Sequence, residues 1–523
     1  MPSPSPDAPI AFVGGRILTM AAGGAAEAVV VEGDRITAVG RREVLERFPG
    51  AVVHDLAGRT LCPGFIDAHH HLSISALQPR WADLRTVTDV DGLARALREH
   101  ARGEPDAPWI RGAGWTDLGS GFVPHRRDLD ELGLDRPVLV AHYSLHQGVT
   151  DTRGLDALGI GAATPDPDGG SIGRDADGSL NGLLVERAWS EVHRRSLAPY
   201  DDPDRWADHI EAAATRLLAD GITAVHDTAC PPEAEAAYAQ SAGAGRLPIS
   251  VLACPHPAAL LGPLDVRRLD GAPTGEGDES LRIGPMKLFA DGGVAPAIDV
   301  HLKGARLEIG TKFAGLHEQV EEVVARGFRV AVHAIGNAGL EYTLDAFAQA
   351  AARHPGVDHR FRVEHACLAS DDQLVRLAEL GGVAVVQPTF LDHLGKSVEG
   401  VEFDDARWLA FASMKNAGVS LAASSDCPCT FHEPVRGAWH GATRRTGSGG
   451  VLDAAESVSF EDWIHAYTAG AAWAGGQEAE RGSLEVGKRA DLVVLEGALD
   501  REEPPVVVQT WVGVELRFEG GSR

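Results

Sequence analysis

The chain of 523 residues has 44% apolar residues and a formal net charge of −27, which predicts a sizeable core and high solubility. This charge disfavours nucleic acid and anionic membranes as partners, because their phosphates bind clustered basic side chains. The sequence contains no run of about 18 uncharged apolar residues and no basic segment followed by an apolar core near its start. We therefore expect a cytoplasmic protein without a membrane span.

Both ends of the chain carry short apolar segments separated by glycine turns. Examples are IAFVGGRILTM and AVVVEGDRITAVG in the first part, and ADLVVLEG and PPVVVQTWVGVELRFEG in the last. This pattern is typical of strands joined by tight turns. We predict that residues 1–60 and 475–523 together form a small β-sandwich domain.

Between the two ends, apolar strand segments alternate with helical segments, as in a parallel sheet with crossover helices. Eight such segments predict an α/β fold with a closed (β/α)8 TIM-type barrel over residues 61–474. An open doubly wound sheet is the alternative, but no GxGxxG motif follows a strand and opens a helix. Residues 80–210, between the first two strands, are predicted to be an insertion that covers the active site. The predicted strands are Leu61–Ala68, Gly221–Asp227, Leu247–Cys254, Ile283–Phe289, Arg329–Ala334, Phe361–His365, Val383–Gln387 and Val419–Ser424.

Three consecutive histidines end the first predicted barrel strand, in the segment GFIDAHHHL. Side chains alternate between the two faces of a strand, so His69 and His71 share one face and His70 points to the other. Two imidazoles on one face, at the C-terminal end of a barrel strand, can bind one metal ion. A solvated histidine-rich loop is the alternative.

Other candidate ligands follow other predicted strands. His333 ends the fifth strand, His365 ends the sixth, and Asp426 follows the eighth. One histidine at such a position is more often a core residue, but barrel chemistry takes place where all these strand ends meet. Imidazole and carboxylate ligands together suit zinc, iron or manganese.

Lys287 lies in the apolar segment GPMKLFADG of a chain that has only six lysines. A buried ammonium group is costly unless it is paired or loses its charge. An ion pair, for instance with Asp291, is one explanation. The other is that the amine has taken up CO2, which gives a carbamate whose anionic oxygens can bridge two metal ions.

The order GFIDxHxH, strand-four lysine, HAIGN, RVEHA and SSD resembles the amidohydrolase superfamily of metal-dependent hydrolases. Within it, the chain is most similar to amidohydrolase family 3, the branch of YtcJ-like proteins and N-substituted formamide deformylase. The likeness includes GAGWTD, PDGGSIGRDADGSLNGLLVERA and GSLEVGKRADLVVLE, and thus spans nearly the whole chain. It departs from the family pattern at His70, Asn337, Cys427 and Cys429, none of which is a predicted ligand.

The resemblance implies a divalent metal, most simply zinc, as one ion or as two ions bridged by a carboxylated lysine, with iron or manganese as alternatives. It also implies hydrolysis of a non-peptide amide C–N bond, in an N-acyl or N-formyl amine, by metal-activated hydroxide. Asp426 would pass the proton to the leaving nitrogen. The expected metal ligands are His69, His71, Lys287, His333, His365 and Asp426.

Substrate contacts are expected from the insertion and from the loops at the strand ends, although ordinary loop packing is the alternative for each candidate. The partner is expected to be a small molecule, and a homodimer is the expected oligomer if the chain self-associates. The candidate contacts are Trp115, His146, Asp291, Asn337, Gln387 and Cys427.

Two other functions are compatible with this barrel. A metal-dependent deaminase of a cyclic amidine is disfavoured, because deaminases of the superfamily place Glu three residues after the strand-five histidine and this chain has Gly336. A non-catalytic binding or regulatory protein with a relic site is disfavoured by the complete set of ligands.

Overall fold

The computed structural model describes residues 8–22, 26–118, 120–197, 202–256, 266–499 and 503–521. Parts of the predicted terminal domain and of the predicted insertion lie outside these residues. No helix within the described ranges is long and apolar enough to cross a membrane.

Eight parallel strands, arranged in the order in which they occur along the chain, form a closed barrel, as predicted. The strands lie in two hydrogen-bonded sheets, and the ends of the last and first strands are joined by backbone bonds from Asp426 N–H to His69 O (2.8 Å) and from His71 N–H to Cys427 O (2.9 Å). These bonds bring three predicted ligands together. The barrel strands are β1 (Phe65–His70), β2 (Ile222–Cys230), β3 (Ser250–Pro255), β4 (Met286–Phe289), β5 (Val330–Ala334), β6 (Arg362–His365), β7 (Val383–Val386) and β8 (Ser420–Ala423).

Helices cover the outside of the barrel and bury the apolar outer faces of the strands. The helix between β5 and β6, for example, buries Leu340, Leu344 and Phe347, whose spacing of three and four residues gives one apolar stripe. Apolar burial of this kind stabilises the barrel independently of the strand ends. The principal helices are Pro203–Leu217, Pro232–Gly243, Leu316–Ala325, Asn337–Arg353, Asp371–Glu379, Phe411–Asn416, Pro434–Thr443, Phe460–His465 and Ala471–Gly475.

Two of the predicted strands are each divided in the structure. The segment predicted as Leu61–Ala68 belongs to two sheets that meet at Gly64, where a Cβ would overlap the side chain of Thr223. The segment predicted as Ile283–Phe289 breaks at Gly284 and Pro285 into Leu281–Ile283 and β4, since proline cannot donate to the ladder. A continuous apolar segment in the sequence does not reveal that its two parts pair with different neighbouring strands.

Strands from both ends of the chain lie in one eight-stranded sheet. Thr60–Pro63 joins the two parts, because it pairs with both Ile10–Ile17 and Leu492–Glu496. One apolar layer of this sheet includes Phe12 and Trp511. The sandwich form of this region remains a prediction. The other strands are Ala26–Glu32, Arg35–Gly40, Val52–Asp55, Val506–Val512 and Glu515–Glu519.

The insertion contains a six-stranded sheet that the sequence analysis did not predict. It has its own apolar cluster, which includes Leu97, Ile110 and Val140. The segment Ser144–His146 and the helix Arg187–Leu197 extend from this sheet to a cavity at the C-terminal end of the barrel. The sheet strands are Ala82–Asp83, Ile110–Trp115, Val138–His142, Gln147–Thr150, Gly170–Arg174 and Leu180–Glu186, and its helices include Val90–Gly103, Arg126–Asp130 and Thr152–Leu158.

Candidate metal centre

His69, His71 and Asp426 form a compact group at the ends of β1 and β8. One ligand atom from each residue lies within 4.8 Å of the other two. Asp426 Oδ1 is 3.0 Å from His71 Nε2 and 3.5 Å from His69 Nε2. His70 lies on the opposite face and lines a second cavity together with Cys427, which is the orientation that strand alternation predicts.

A row of imidazole rings extends from this group across the cavity. The ring centroids of His69 and His365 are 4.7 Å apart, those of His365 and His333 are 4.6 Å apart, and those of His333 and His146 are 5.2 Å apart. Lys287 lies in the same cavity wall. The structure thus brings all six predicted ligands to one cavity.

Two of these residues have an unusual backbone conformation. His365 has φ 75° and Asp426 has φ 60°, a left-handed region that non-glycine residues rarely occupy. Glu364 and His365 are consecutive on β6 and would otherwise face opposite sides, yet both approach His69. Strained residues of this kind are concentrated at functional sites.

Three histidines are oriented by an acceptor at Nδ1. His69 Nδ1 lies 2.5 Å from Glu364 Oε2, His71 Nδ1 lies 2.8 Å from the carbonyl oxygen of Thr228, and His365 Nδ1 lies 3.0 Å from Gln387 Oε1. A hydrogen on Nδ1 that is shared with such an acceptor leaves the Nε2 lone pair for a metal, the usual arrangement of metal-binding histidines.

The buried ring atoms fit a metal ion. Within the described part of the chain, the Nε2 atoms of His69 and His333 are buried without a hydrogen-bond partner, although His333 Nε2 is 3.8 Å from Asp291 Oδ1. Such orphaned atoms are costly unless a ligand satisfies them. A divalent metal would do so.

The protonation states also suit metal binding. Burial lowers the pKa of His69 and His333 well below the usual value, and lowers the pKa of His365 to about 4, so the three rings are neutral at pH 7, as ligands must be. Burial opposes ionisation of Asp426, but its hydrogen bond with His71 and the other nearby rings outweigh burial and lower the pKa of the carboxyl group.

Lys287 is almost completely buried. Burial lowers its pKa to about 8, although the carboxylates of Glu364 and Asp426 act in the opposite direction. No ion pair of Lys287 within 4.0 Å occurs among the described residues. Asp291 is not its partner, because that carboxyl group accepts backbone N–H bonds from Ala297, Ile335 and Gly336.

The chain matches the amidohydrolase family model over residues 52–515. It belongs to the amidohydrolase family. An N-substituted formamide deformylase of Arthrobacter pascens is 32% identical over 517 residues, covering 94% of this chain and 95% of the relative. YtcJ of Bacillus subtilis is 28% identical, covering 92% and 93%.

The fold of this amidohydrolase is also found in a solved structure. The crystal structure of an uncharacterized metal-dependent hydrolase from Pyrococcus horikoshii matches with a TM-score of 0.73 and 24% identity, covering 94% of this chain and 98% of that one. The family match and the Arthrobacter pascens relative confirm the resemblance inferred from the motifs. The chain is an amidohydrolase that acts on carbon–nitrogen bonds other than peptide bonds.

Of the six candidate substrate contacts, only His146 lines the cavity within the described ranges of this amidohydrolase. Trp115 packs inside the insertion, with its ring 4.6 Å from that of His142. Trp115 is buried in the separate apolar cluster of the insertion. Cys427 faces the second cavity, whereas the preceding residue, Asp426, lines the first. Neither predicted contact therefore lies in the cavity of the candidate metal centre.

The remaining three candidates have hydrogen-bonding roles in the fold. Asp291 accepts three backbone N–H bonds, as described above. Asn337 binds the backbone of Asp299 through Oδ1 (2.9 Å) and Nδ2 (2.6 Å). Gln387 accepts from His365 and donates to Ser424 Oγ (2.9 Å). Their side chains are therefore committed to neighbouring residues, and we propose no substrate contact for them.

Sequence reasoning missed Glu364, although the signal was present in RVEH. Arg362 and Glu364 are two residues apart on one strand and therefore share a face. Both are fully buried, and their side chains form a hydrogen-bonded ion pair (Nε to Oε1 2.9 Å) inside the barrel. A charged pair at this spacing in an apolar strand predicts a buried hydrogen-bond network. In this structure the network continues from Glu364 to Nδ1 of His69.

Proposed function

We propose that this chain hydrolyses the amide bond of an N-formyl or N-acyl amine with a divalent metal held at one or two positions in the cavity. The observation that carries the proposal is the group of His69, His71 and Asp426, in which both rings have an acceptor at Nδ1 and turn Nε2 toward one carboxylate. The name of the Arthrobacter pascens relative supports a formyl amide as the substrate class. Imidazole and carboxylate ligands favour zinc, with iron or manganese as alternatives.

In this proposal His69 and His71 would hold the first metal, and His333 and His365 would hold the second. The chemistry that such a metal supplies when bound is a water whose pKa falls to about 7 and a polarised carbonyl group. Asp426, ionised at neutral pH, accepts the proton of the attacking water. It then donates that proton to the leaving nitrogen as a general acid.

We infer that Lys287, as a carbamate, would supply anionic oxygen ligands to both metal positions. An amine whose pKa is lowered to about 8 by burial is partly uncharged at neutral pH and can add to CO2 with release of one proton. The carbamate is then an anionic oxygen ligand. An unmodified ammonium group would repel two divalent cations at close range and would fit a single metal instead.

Glycine at position 336 supports hydrolysis over ring deamination. A Cβ at Gly336 would overlap the carbonyl oxygen of Ala297, so a glutamate at this position does not fit the backbone as it stands. The intact ligand set argues against a relic site.

We also propose the predicted domain division, with residues 61–474 as the hydrolase barrel and residues 1–60 and 475–523 as a separate unit. The one adjustment is that residues 61–63 pair in the sheet of the two ends. The cytoplasm is supported as the location by the six cysteines, all of which are free thiols as expected in a reducing compartment. We further propose that the partner is a small-molecule substrate and that the chain binds neither nucleic acid nor membranes. If the chain self-associates, we expect a homodimer.

Metal removal and reloading test the proposed function. Purified protein is assayed for release of formate and amine from N-butylformamide and of acetate and amine from N-butylacetamide, before and after treatment with a chelator. We expect turnover to be lost with the metal and restored by zinc. Release of ammonia from a cyclic amidine in place of these products would support the deaminase, and no reaction with any of the three substrates would support a non-catalytic protein.

The substitution His70→Ala is expected to retain the metal content of the wild type and at least about half of its turnover, because His70 faces away from the cavity. Metal content by mass spectrometry and steady-state kinetics check this result. A loss of metal would place His70 among the ligands and would contradict the strand register.

The substitution Glu364→Gln is expected to weaken metal affinity by about 10- to 100-fold, the usual effect of losing the acceptor that orients a ligand. The amide preserves size but not charge at His69 Nδ1. Competition with a metal-binding dye measures the affinity. Glu341→Gln is the control, since Glu341 pairs with Arg376 on the outside of the barrel; equal affinities in the two variants would contradict the prediction.

A further inference from the structure

The insertion brings a buried histidine–carboxylate pair to the cavity. His146 Nδ1 lies 2.7 Å from Glu186 Oε2, and the two side chains are 15% and 6% exposed. The second oxygen of Glu186 accepts the N–H of Val294 at 2.9 Å. Glu186 therefore binds both the histidine and the segment that follows β4, the strand of Lys287.

The backbone around this pair is built for close approach. A Cβ at Gly292 would lie 2.5 Å from Glu186 Oε1, and a Cβ at Gly293 would lie 2.5 Å from His146 Cδ2. Leu145 and Glu186 both have positive φ angles, 59° and 51°. Strain at two non-glycine residues persists only where the surrounding structure imposes it, and it is concentrated at sites of function.

His146 stands at the end of the imidazole row farthest from Asp426. Its ring neighbours His333, whereas Asp426 contacts His71 and His69. His146 lines the cavity. Glu186 Oε2 and the donating N–H of Gly293 (3.2 Å) both lie at its Nδ1, so Nε2 is the ring atom available to a bound molecule.

We propose that His146 binds the carbonyl oxygen of the scissile amide through Nε2, and that Glu186 is the positioning residue that holds its ring. This rests on the proposed function. In the proposed function Asp426 transfers the proton to the leaving nitrogen at one end of the imidazole row. We place the carbonyl oxygen of the same amide toward the other end of the row, beside His333 and His146. The insertion thereby contributes a hydrogen-bond donor for the negative charge that develops on this oxygen.

Glu186 suits this positioning role. A carboxylate at Nδ1 fixes the orientation of the ring and keeps Nε2 turned toward the cavity. The same carboxylate ties the ring to the backbone after β4, so His146 keeps a fixed place relative to the strand of Lys287.

The test uses the metal-loaded enzyme and four variants. His146→Leu removes the donor, His146→Gln restores an N–H at a similar distance, and Glu186→Gln keeps the size of the acceptor but not its charge. His301→Leu is the control, because His301 and Asp405 form a similar pair (2.8 Å) that is exposed and does not line the cavity. For each protein we measure kcat and KM with N-butylformamide, metal content, and the calorimetric affinity for methylphosphonate as a tetrahedral oxyanion probe.

We expect His146→Leu to lower kcat by about 100- to 1,000-fold, as for loss of one oxyanion donor, with little change in KM or metal content. His146→Gln should recover at least about tenfold, Glu186→Gln should lower kcat less than His146→Leu, and His301→Leu should match the wild type. A kcat within about threefold of wild type in His146→Leu, or loss of metal from it, would overturn the proposal.

The calorimetric arm separates this proposal from the proposed function. If the wild type hydrolyses neither amide but His146→Leu binds methylphosphonate at least about tenfold more weakly, the substrate assignment fails and the His146 contact stands. Equal affinity in the two proteins, including no binding by either, would overturn the contact.

Discussion

Replacing His69 by alanine is expected to lower turnover of the N-formyl amine by at least about 1,000-fold, because metal-assisted catalysis contributes several kcal/mol to transition-state stabilisation. The variant loses a buried ligand and leaves Glu364 without one of its two partners. The amount of metal bound per chain should fall together with turnover, and mass spectrometry can measure this metal content. The helices outside the barrel keep their apolar contacts, so circular dichroism should show a folded protein.

His70→Ala is the matched control for His69→Ala, since the two positions are adjacent and buried but face different cavities. Turnover near the wild-type level in His69→Ala at full metal occupancy would refute the assignment of β1 to the metal centre. An unfolded variant would be replaced by His69→Asn, which retains a polar side chain at the site, with the same expected loss of metal.

Lys287→Ala should remove at least one metal ion per chain and lower turnover by at least about 100-fold, because it deletes the anionic bridge and with it the stabilisation of two adjacent cations. Acetate or formate added to this variant should restore part of the activity, since a small carboxylate can occupy the place of the carbamate. Metal content and the dependence of the rate on acetate concentration measure both effects.

Lys415→Ala is the control for Lys287→Ala, because Lys415 forms an exposed ion pair with Asp462. In the wild type, the intact mass should include one bound CO2 under native conditions, and removal of CO2 at low pH should release metal. Two fully occupied metals beside an unmodified Lys287 would refute the bridge. An unmodified lysine beside one metal would move the chemistry to a mononuclear site.

The residues that the sequence placed at the metal centre lie where simple strand rules put them. His69 and His71 share a face because side chains alternate along β1, and His333 and Asp426 meet them because the strands of a parallel barrel end on one side. These rules need no knowledge of which helices pack where. The placement of these four residues at one end of the barrel was therefore accessible from local pattern, whereas their roles as metal ligands rest on the family resemblance and remain predictions.

The residues that the sequence did not reveal depend on contacts between distant segments. Gln387 was predicted to touch substrate, but it orients His365 because β7 lies next to β6. His365 reaches the cavity beside Glu364 only because its φ is positive, which the sequence RVEH does not disclose. The sheet of the insertion was missed because helices and loops of unequal length separate its strands along the chain.

The division of the first apolar segment at Gly64 has a consequence for the order of folding. Thr60–Pro63 pairs with Leu492–Glu496, which is synthesised much later, and β1, which leads to His69 and His71, follows directly on Gly64. Pairings between segments so far apart in the chain form slowly, because loop closure costs entropy before the contacts are gained. We therefore expect the nascent chain to hold β1 without the neighbouring terminal sheet during most of synthesis, and the segment before the metal centre to become fixed only after Leu492–Glu496 has paired with Thr60–Pro63.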